Sequence, residues 1–307
     1  MKLSHLRDVL AVAELGSLRA AGRHIGIAQP AITRSIREIE QELGVTLFER
    51  HAKGVHLTTM GAAFVRRAET IRAELRRAKD EIEQMKGRTT GEVSIALSTA
   101  TCMALMPRAL TLFRQRYPDA VLKVSESLFP PIESELIDGT LDLYVGPLAP
   151  GFSSPQLAAE MLFDNRRMVF ARHGHPLSNA RSLSDLSGAD WVRPTMSIRS
   201  TEGDFDEIFA RAGLAQPRIV LHARSALVTL IAVANSDMLT ILPQQWLNFS
   251  GSSAVMAALP IDEVMMAAPI SIVRRRDMPL TPMAEHLCDL MRRIATHYSY
   301  RDDALPR

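Results

Sequence analysis

In the stretch IAQPAITRSIREIEQELG, residues 27–44, Gln29, Thr33 and Arg37 recur at i, i+4 and i+8, with Pro30 and Arg34 beside them. On a helix that spacing puts all five on one face. These side chains can read base edges: arginine reaches guanine O6 and N7, glutamine pairs with adenine, and threonine serves a base or a phosphate. Taken alone, the row also fits an ordinary solvated helix face. Ile32, Ile36, Ile39 and Leu43 form a separate apolar stripe of the kind that faces a core.

The elements around this row decide between those meanings. The spacing predicts a first helix over about Ser4–Glu14, with Ser4 as N-cap, Leu6, Val9, Leu10 and Ala13 inward, and Gly16 as its stop. Ser17 is placed to cap a second helix, LRAAGRHIG, whose Ala20 and Ala21 allow close approach of a neighbour. A tight GIA turn follows, and the third helix starts at Gln29–Pro30, where the missing proline N–H would have had no partner anyway. Two short helices, a glycine turn and a longer helix form a helix-turn-helix pattern, in which the N-terminal end of the second motif helix enters a major groove. In VTLFERHAKGVHLTTMG, Leu47 and Phe48 anchor a core, Gly54 turns a hairpin, and Val55 and Leu57 alternate around His56. Such a wing carries Arg50 and Lys53 toward a phosphate backbone, which adds affinity and little sequence information.

Residues 16–61 carry an ordered signature: GS, AA, QPA, R.I...E.ELG, LFER and G..LT..G. This resembles the N-terminal domain of LysR-type transcriptional regulators. The resemblance implies that Gln29, Pro30, Thr33 and Arg34 contact bases of a double-stranded DNA operator. It implies backbone contacts by Ser17, Arg37, Arg50, Lys53 and Thr58. Two positions depart from the family pattern. Ala28 stands where a serine usually precedes Gln-Pro, which removes a side-chain cap worth about 1 kcal/mol. His56 stands where the wing often carries arginine.

From Thr58 to Lys86 no breaker follows Gly61, and Phe64, Ala68, Ile71, Leu75, Ala78, Ile82 and Met85 recur at spacings of four and three. That is a heptad seam, against the alternative of one amphipathic helix lying on its own domain. The resemblance implies a linker-helix dimer and an assembly of two dimers, with activation of a metabolic operon through RNA polymerase. KGRTTG, residues 86–91, reads as a hinge.

Beyond it, strands alternate with helices, which argues an α/β body with a parallel sheet. A break near Phe163 and a return near Pro260 suggest two subdomains joined by two crossing strands. The resemblance implies an all-α winged helix-turn-helix domain plus long linker helix, then an α/β periplasmic-binding-protein-like (type 2) effector domain of two Rossmann-like subdomains. The expected boundaries are 1–58 for the DNA-binding head, 59–87 for the linker helix, 88–91 for the hinge and 92–307 for the effector domain. Subdomain I takes 92–162 and 265–307, and subdomain II takes 163–264.

Ligands in such sheets bind at strand carboxyl ends near helix N-termini. Two segments qualify: STAT, with Ser98, Thr99 and Thr101, and PTMSIRST, with Ser197, Arg199, Ser200 and Thr201. Their hydroxyls also suit simple helix caps. In the family these loops face each other across the effector cleft, where Arg199 would favour a small organic carboxylate or sulfonate. Phe129, Gly146, Pro147 and Arg224 are further pocket candidates.

Charge distribution agrees with a polyanion-binding head. Residues 1–88 hold 16 Lys/Arg against 11 Asp/Glu, and the remainder holds 20 against 23. The N-terminal apolar run is broken by Arg7, Asp8 and Glu14, so it reads as an amphipathic helix rather than a signal peptide, and no run is long enough to span a membrane. The chain is expected to be cytoplasmic. Nine histidines show no metal-ligand spacing, and His173 and His175 in RHGHP fit a turn. Cys102 and Cys288 lie in apolar helical contexts, where redox sensing has little support. No cofactor motif, nucleophile elbow or supported carboxylate pair is found. The rival functions, a stand-alone solute-binding module or an α/β enzyme, need an export signal or a catalytic constellation.

Overall fold

The computed structural model describes residues 1–51, 54–194 and 202–299, without the side chains of Arg50, residues 202–204 and Ser299. The chain divides into two compact units, Met1–Ile82 with Asp138–Thr140, and Glu83–Ile137 with Leu141–Arg307.

The first unit opens with α1 (Leu3–Leu15), α2 (Leu18–Ile25) and α3 (Gln29–Leu43). A hairpin, β1 (Phe48–His51) and β2 (Gly54–Leu57), follows, and then α4 (Thr59–Met85). Leu6, Val9, Leu10, Ala21, Ile32, Ile36, Ile39 and Leu47 form its core, with Val65 and Ala68 of α4 closing it. Ile32 and Ile39 are fully buried, and each contributes about 2 kcal/mol of burial. Leu43, expected on the same stripe, is 41% exposed. Its place at the end of α3, next to the left-handed Gly44, carries it off the core. Helix α1 also starts earlier than the capping rule suggests. Lys2 is its N-cap, with no side-chain bond, because burial of Leu6 and Val9 sets its position rather than the Ser4 hydroxyl.

Gly16 ends α1 at φ +60 and its carbonyl accepts the Val55 N–H at 2.9 Å, tying the wing to the first helix. Gly54 has φ +130, and a Cβ there would sit 2.8 Å from that same carbonyl, so position 54 admits glycine only. Helix α4 has 27 residues, about 40 Å of rise. Its seam divides: Phe64 and Ala68 pack on the core of the first unit, whereas Ile71, Leu75, Ile82 and Met85 are exposed.

The second unit begins at β3 (Gly91–Leu97), so Gly91, expected in the hinge, is already paired with Ala120. Then come α5 (Thr99–Ala104), α6 (Met106–Arg116), β4 (Ala120–Glu126), α7 (Glu133–Asp138), β5 (Leu143–Pro147) and β6 (Leu157–Arg172). The chain continues through β7 (Asp190–Pro194), α8 (Glu202–Arg211), β8 (Arg218–Ala223), α9 (Ala226–Ala234), β9 (Thr240–Pro243), α10 (Ser250–Ser253) and β10 (Met256–Ala258). It returns in β11 (Met265–Arg275) and closes with α11 (Pro282–Ser299).

The main sheet is mixed rather than parallel. Its order is β10-β6-β11-β5-β3-β4, with β9 also on β6; β3 pairs parallel with β4 and β5, but β11 and β9 run antiparallel to their neighbours. A strand that must return from one subdomain to the other reverses direction, which alternation of elements cannot register. Strands β7 and β8 form a separate parallel pair. The expected passage near Phe163 takes place inside β6, which runs 16 residues without interruption and carries the chain from the core of Phe163 to that of Val169. The expected boundary between 162 and 163 falls inside β6, whereas that between 264 and 265 coincides with the start of β11. Phe163 and Ile270 belong to the core formed with α5, α6 and α11, and Met265 to the core around Trp191, Phe205 and Phe209. Where β11 crosses between the two cores its register on β6 shifts, between Ala267 and Ile270.

Candidate functional site

The outer face of α3 carries the predicted row. Gln29, Pro30, Arg34 and Arg37 are exposed and Thr33 is half-buried, and together with Glu38 and Gln41 they line one shallow surface groove. Among the described residues neither Arg34 nor Arg37 makes an ion pair, so both guanidiniums keep their donors for an external acceptor. Thr33 differs: its hydroxyl donates to the Gln29 carbonyl at 3.0 Å. Its methyl group and acceptor lone pairs are what it can offer a base edge. Ala28 is the N-cap and no side chain caps the helix.

The supporting groups have defined work. The Ser17 hydroxyl accepts the Ala20 N–H and caps α2, while its own hydrogen stays able to donate to a phosphate. The Thr58 hydroxyl donates to the Thr46 carbonyl at 2.7 Å and accepts the Gly61 N–H at 2.9 Å. That donor is spent on the Thr46 carbonyl, which removes the simplest way for Thr58 to hold a phosphate. Glu40, which drew no attention in the sequence, accepts the Leu47 and Phe48 N–H groups at 2.8 and 3.2 Å through one oxygen. It locks the recognition helix to the root of the wing. On the wing, His56 is exposed and stacks edge-on with His51 at 5.2 Å, and His51 lies 3.5 Å from Glu49. Lys53 and the Arg50 side chain lie outside the described residues.

The second unit holds a cleft of two adjoining chambers. An inner chamber of about 110 Å³ is lined by Ser98, Thr99, Leu128, Pro147, Asn165, Arg167, Pro194, Phe205, Thr229 and Trp246, among others. An outer chamber of about 640 Å³ shares Leu128, Pro147 and Arg167 with it and adds Phe129, Leu148, Phe152, Arg211 and Met266. The structure thus brings Ser98, Thr99, Phe129 and Pro147 to one cleft. Thr101 and Gly146 do not line it. Thr101 is fully buried, and its hydroxyl bonds to the Val145 and Ser98 carbonyls at 2.7 and 2.9 Å. Gly146 is there for Tyr144, because a Cβ would stand 2.1 Å from the tyrosine hydroxyl. Burial raises the Tyr144 pKa well above the ordinary range. Arg224 is exposed and lines neither chamber. Ser197, Arg199, Ser200 and Thr201 lie outside the described residues.

Ser98 caps α5 through the Thr101 N–H, and the Thr99 hydroxyl donates to Glu126. Two residues on β6 were missed. Asn165 and Arg167 alternate along the strand and so share a face, the one signal that DNRRM offered. Asn165 is 3% exposed, its Nδ2 donates to the Ala268 carbonyl at 3.3 Å, and its buried Oδ1 has no partner among the described residues. Because a carbonyl only accepts, the amide orientation is fixed by that bond. Ala268 lies in the register shift of β11, and the neighbouring Pro269 carbonyl accepts the Leu148 N–H at 3.0 Å.

The remaining polar candidates are structural. His175 is buried, with Nε2 against the Asp237 carbonyl and Nδ1 accepting the Leu177 N–H, both at 3.0 Å. Burial pushes the Cys102 thiol up to about 11, with help from Glu126, and the Cys288 thiol up to about 12. Such thiols are protonated and unreactive near neutrality. No group of three or more potential metal ligands occurs among the described residues, and no helix among them is long and apolar enough to cross a membrane.

Residues 3–62 match the family described as bacterial regulatory helix-turn-helix protein, lysR family, and residues 86–295 match the LysR substrate binding domain. The HTH-type transcriptional regulator GbpR of Rhizobium radiobacter is 32% identical over 262 residues, covering 83% of this chain and 86% of the relative. TdcA of Escherichia coli (strain K12), another HTH-type transcriptional regulator, is 26% identical, covering 98% and 95%. Among solved structures, full-length CbnR complexed with its target DNA superposes with a TM-score of 0.72 at 23% identity, covering 96% of this chain and 100% of that one.

Proposed function

The chain belongs to the LysR family of bacterial transcriptional regulators, and from that premise we propose how its residues divide the work. It is a DNA-binding transcriptional regulator with an effector-binding domain, not an enzyme. In the proposed division, Gln29, Pro30, Thr33 and Arg34 read bases in a major groove. Ser17, Arg37, Arg50 and Lys53 hold the backbone, and Thr58 supports the wing from behind. The observation that carries this is the exposure of Arg34 and Arg37 on α3, neither in an ion pair among the described residues, opposite the buried Ile32, Ile36 and Ile39. An Arg34→Ala variant tests it in a gel-shift assay. Loss of one bidentate guanine contact lowers specific affinity by about 1–3 kcal/mol while nonspecific binding stays; unchanged specific binding sinks the base-contact assignment.

The exposed Ile71, Leu75, Ile82 and Met85 of α4 support a linker-helix dimer that presents two recognition helices to two half-sites, two such dimers forming the tetramer. An activator of this kind contacts RNA polymerase from its operator. The cleft takes a small organic anion, with Arg167 and Arg199 as its charge partners. An effector that prefers one cleft geometry shifts the population of subunit packings, and with it the spacing of the DNA-binding heads. Arg199→Ala should remove the effector response and spare DNA binding; an unchanged response refutes the anion site. The site acts from within the cell, where the operator is.

A further inference from the structure

We propose that the outer seam of α6 and α11 is a docking surface for an acidic segment of a second protein. The two helices run antiparallel. Arg108, near the start of α6, meets His297 near the end of α11, and the Tyr117 ring, just past α6, lies 5.6 Å from that of His286 near the start of α11. Along α11, His286, Arg293 and His297 follow i, i+7 and i+11, one face of a helix, and Arg108 and Arg116 stand two turns apart on α6. The three arginines and His297 are exposed, and His286 is half-buried. The positive field is felt inside the seam. Burial first, then Arg116 and Arg293, hold the His286 ring below the usual 6.5, and Asp289 opposes them without prevailing.

The two helices do not compensate this charge themselves. Helix α6 carries no acidic residue, and the two of α11, Glu285 and Asp289, bond to Arg292 at 3.1 and 2.7 Å, on the flank it shares with Glu160. Among the described residues Arg108, Arg116 and Arg293 make no ion pair. The strip is a local reversal of sign, because residues 89–307 hold 20 Lys/Arg against 23 Asp/Glu. Two of its guanidiniums are also held in place. Arg108 donates to His297 Nε2 at 2.6 Å, and Arg116 donates through Nε to the Tyr117 hydroxyl at 3.3 Å. Side chains fixed in advance lose less entropy on contact. The basic groups extend over about 12–16 Å, the reach of four or five residues of extended chain. The strip uses arginine beside an aromatic ring and no lysine, the composition that protein interfaces favour. DNA already has its own row on α3, whereas a regulator bound at its operator still has a protein to meet.

The test is photocross-linking of the full-length chain with a probe peptide of about eight glutamates around one benzoylphenylalanine, the sites being mapped by mass spectrometry. Cross-links should fall on α6 and α11, and a glutamine version of the peptide should give none there. Joint replacement Arg108→Glu, Arg116→Glu and Arg293→Glu should lower the yield at this strip about tenfold, the loss of three exposed ion pairs. The charge-matched set Lys123→Glu, Arg181→Glu and Arg218→Glu, at exposed positions elsewhere on the second unit, should leave it unchanged. If the reversed chain does not fold, Arg→Gln at the same three positions takes its place, with about a fivefold loss. No cross-link on α6 or α11, or equal loss in both sets, overturns the proposal. An oligothymidylate that displaces the peptide better than unlabelled octaglutamate makes the strip a nucleic-acid surface and overturns it too. A shift in sedimentation on Arg→Glu makes the strip a contact between copies of this chain, with the same result.

Discussion

Replacing Glu40 by alanine should loosen the wing without touching any residue that faces DNA. Glu40 is half-buried in the last turn of α3, and one of its oxygens accepts two backbone N–H groups, from Leu47 at 2.8 Å and Phe48 at 3.2 Å. Leu47 is 1% exposed, so its amide has no easy access to water once the carboxylate is gone. A hydrogen bond to a charged acceptor contributes about 1.5–3 kcal/mol. Sharing one oxygen between both amides and the partial exposure of Glu40 reduce the total to about 2–4 kcal/mol of local stability. Glu40→Gln keeps an acceptor oxygen in place and loses only the charge, a cost of about 1 kcal/mol.

Amide hydrogen exchange reads this directly, because the protected groups are themselves the observables. In Glu40→Ala, protection at Leu47 and Phe48 should fall by roughly 30- to 1000-fold, the equivalent of those energies at about 1.4 kcal/mol per tenfold. In Glu40→Gln it should fall about fivefold. Specific DNA affinity should follow the same order. Unchanged protection in Glu40→Ala, or equal damage from the two substitutions, would show that something other than this carboxylate holds the wing root.

Three other substitutions have directions fixed by the structure. Ala28→Ser restores a side-chain cap to α3 and should stabilise the head by about 1 kcal/mol, visible as a higher melting temperature; no gain means the α2–α3 turn cannot place the hydroxyl. Leu75→Glu puts a charge into the exposed seam of α4 and should shift sedimentation toward smaller species, whereas unaltered sedimentation removes the seam from the assembly. Asp185 accepts the Arg181 and Ser182 N–H groups at 2.9 and 3.0 Å, which hold its carboxyl below the usual 3.8. A depressed folded value means stability present above the unfolded value and lost as pH falls through the folded one. Asp185→Asn should therefore lower the melting temperature at pH 7, and the gap to the parent should close as pH falls below 3.8; a constant gap refutes the linkage.

The head was the more legible half because its signals are local. Gly16, Ser17 and Pro30 act within a turn of where they stand, and the isoleucine period needs only α3 itself. The exception is Leu43, where periodicity ran past the end of the core. The wing's dependence on Glu40 was hidden, since its partners lie seven and eight residues away across a turn. In the body, local rules placed Ser98 at its cap and failed on everything that depends on strand order. Thr101 looks like a loop hydroxyl in sequence, yet its bond goes to Val145, 44 residues on. Likewise the crossing of β6 and β11 turned an expected parallel sheet into a mixed one.

That crossing bears on how the proposed effector would act. Two long strands, β6 and β11, pass between the cores, and the register of one slips on the other between Ala267 and Ile270. A slipped register is a weaker, more twisted stretch of ladder, the place where a sheet bends most readily. Asn165 donates to Ala268 inside that stretch and also lines the inner chamber. A ligand hydroxyl or N–H that donates to the Asn165 Oδ1 therefore touches the same side chain that bonds to Ala268 within the slip. Binding shifts a conformational balance only through a difference in affinity between states. A group whose single amide faces the ligand on one side and the bend on the other supplies such a difference wherever the bend alters its reach. Arg167, two residues on, cannot do this alone, because a charge felt equally in both geometries moves neither.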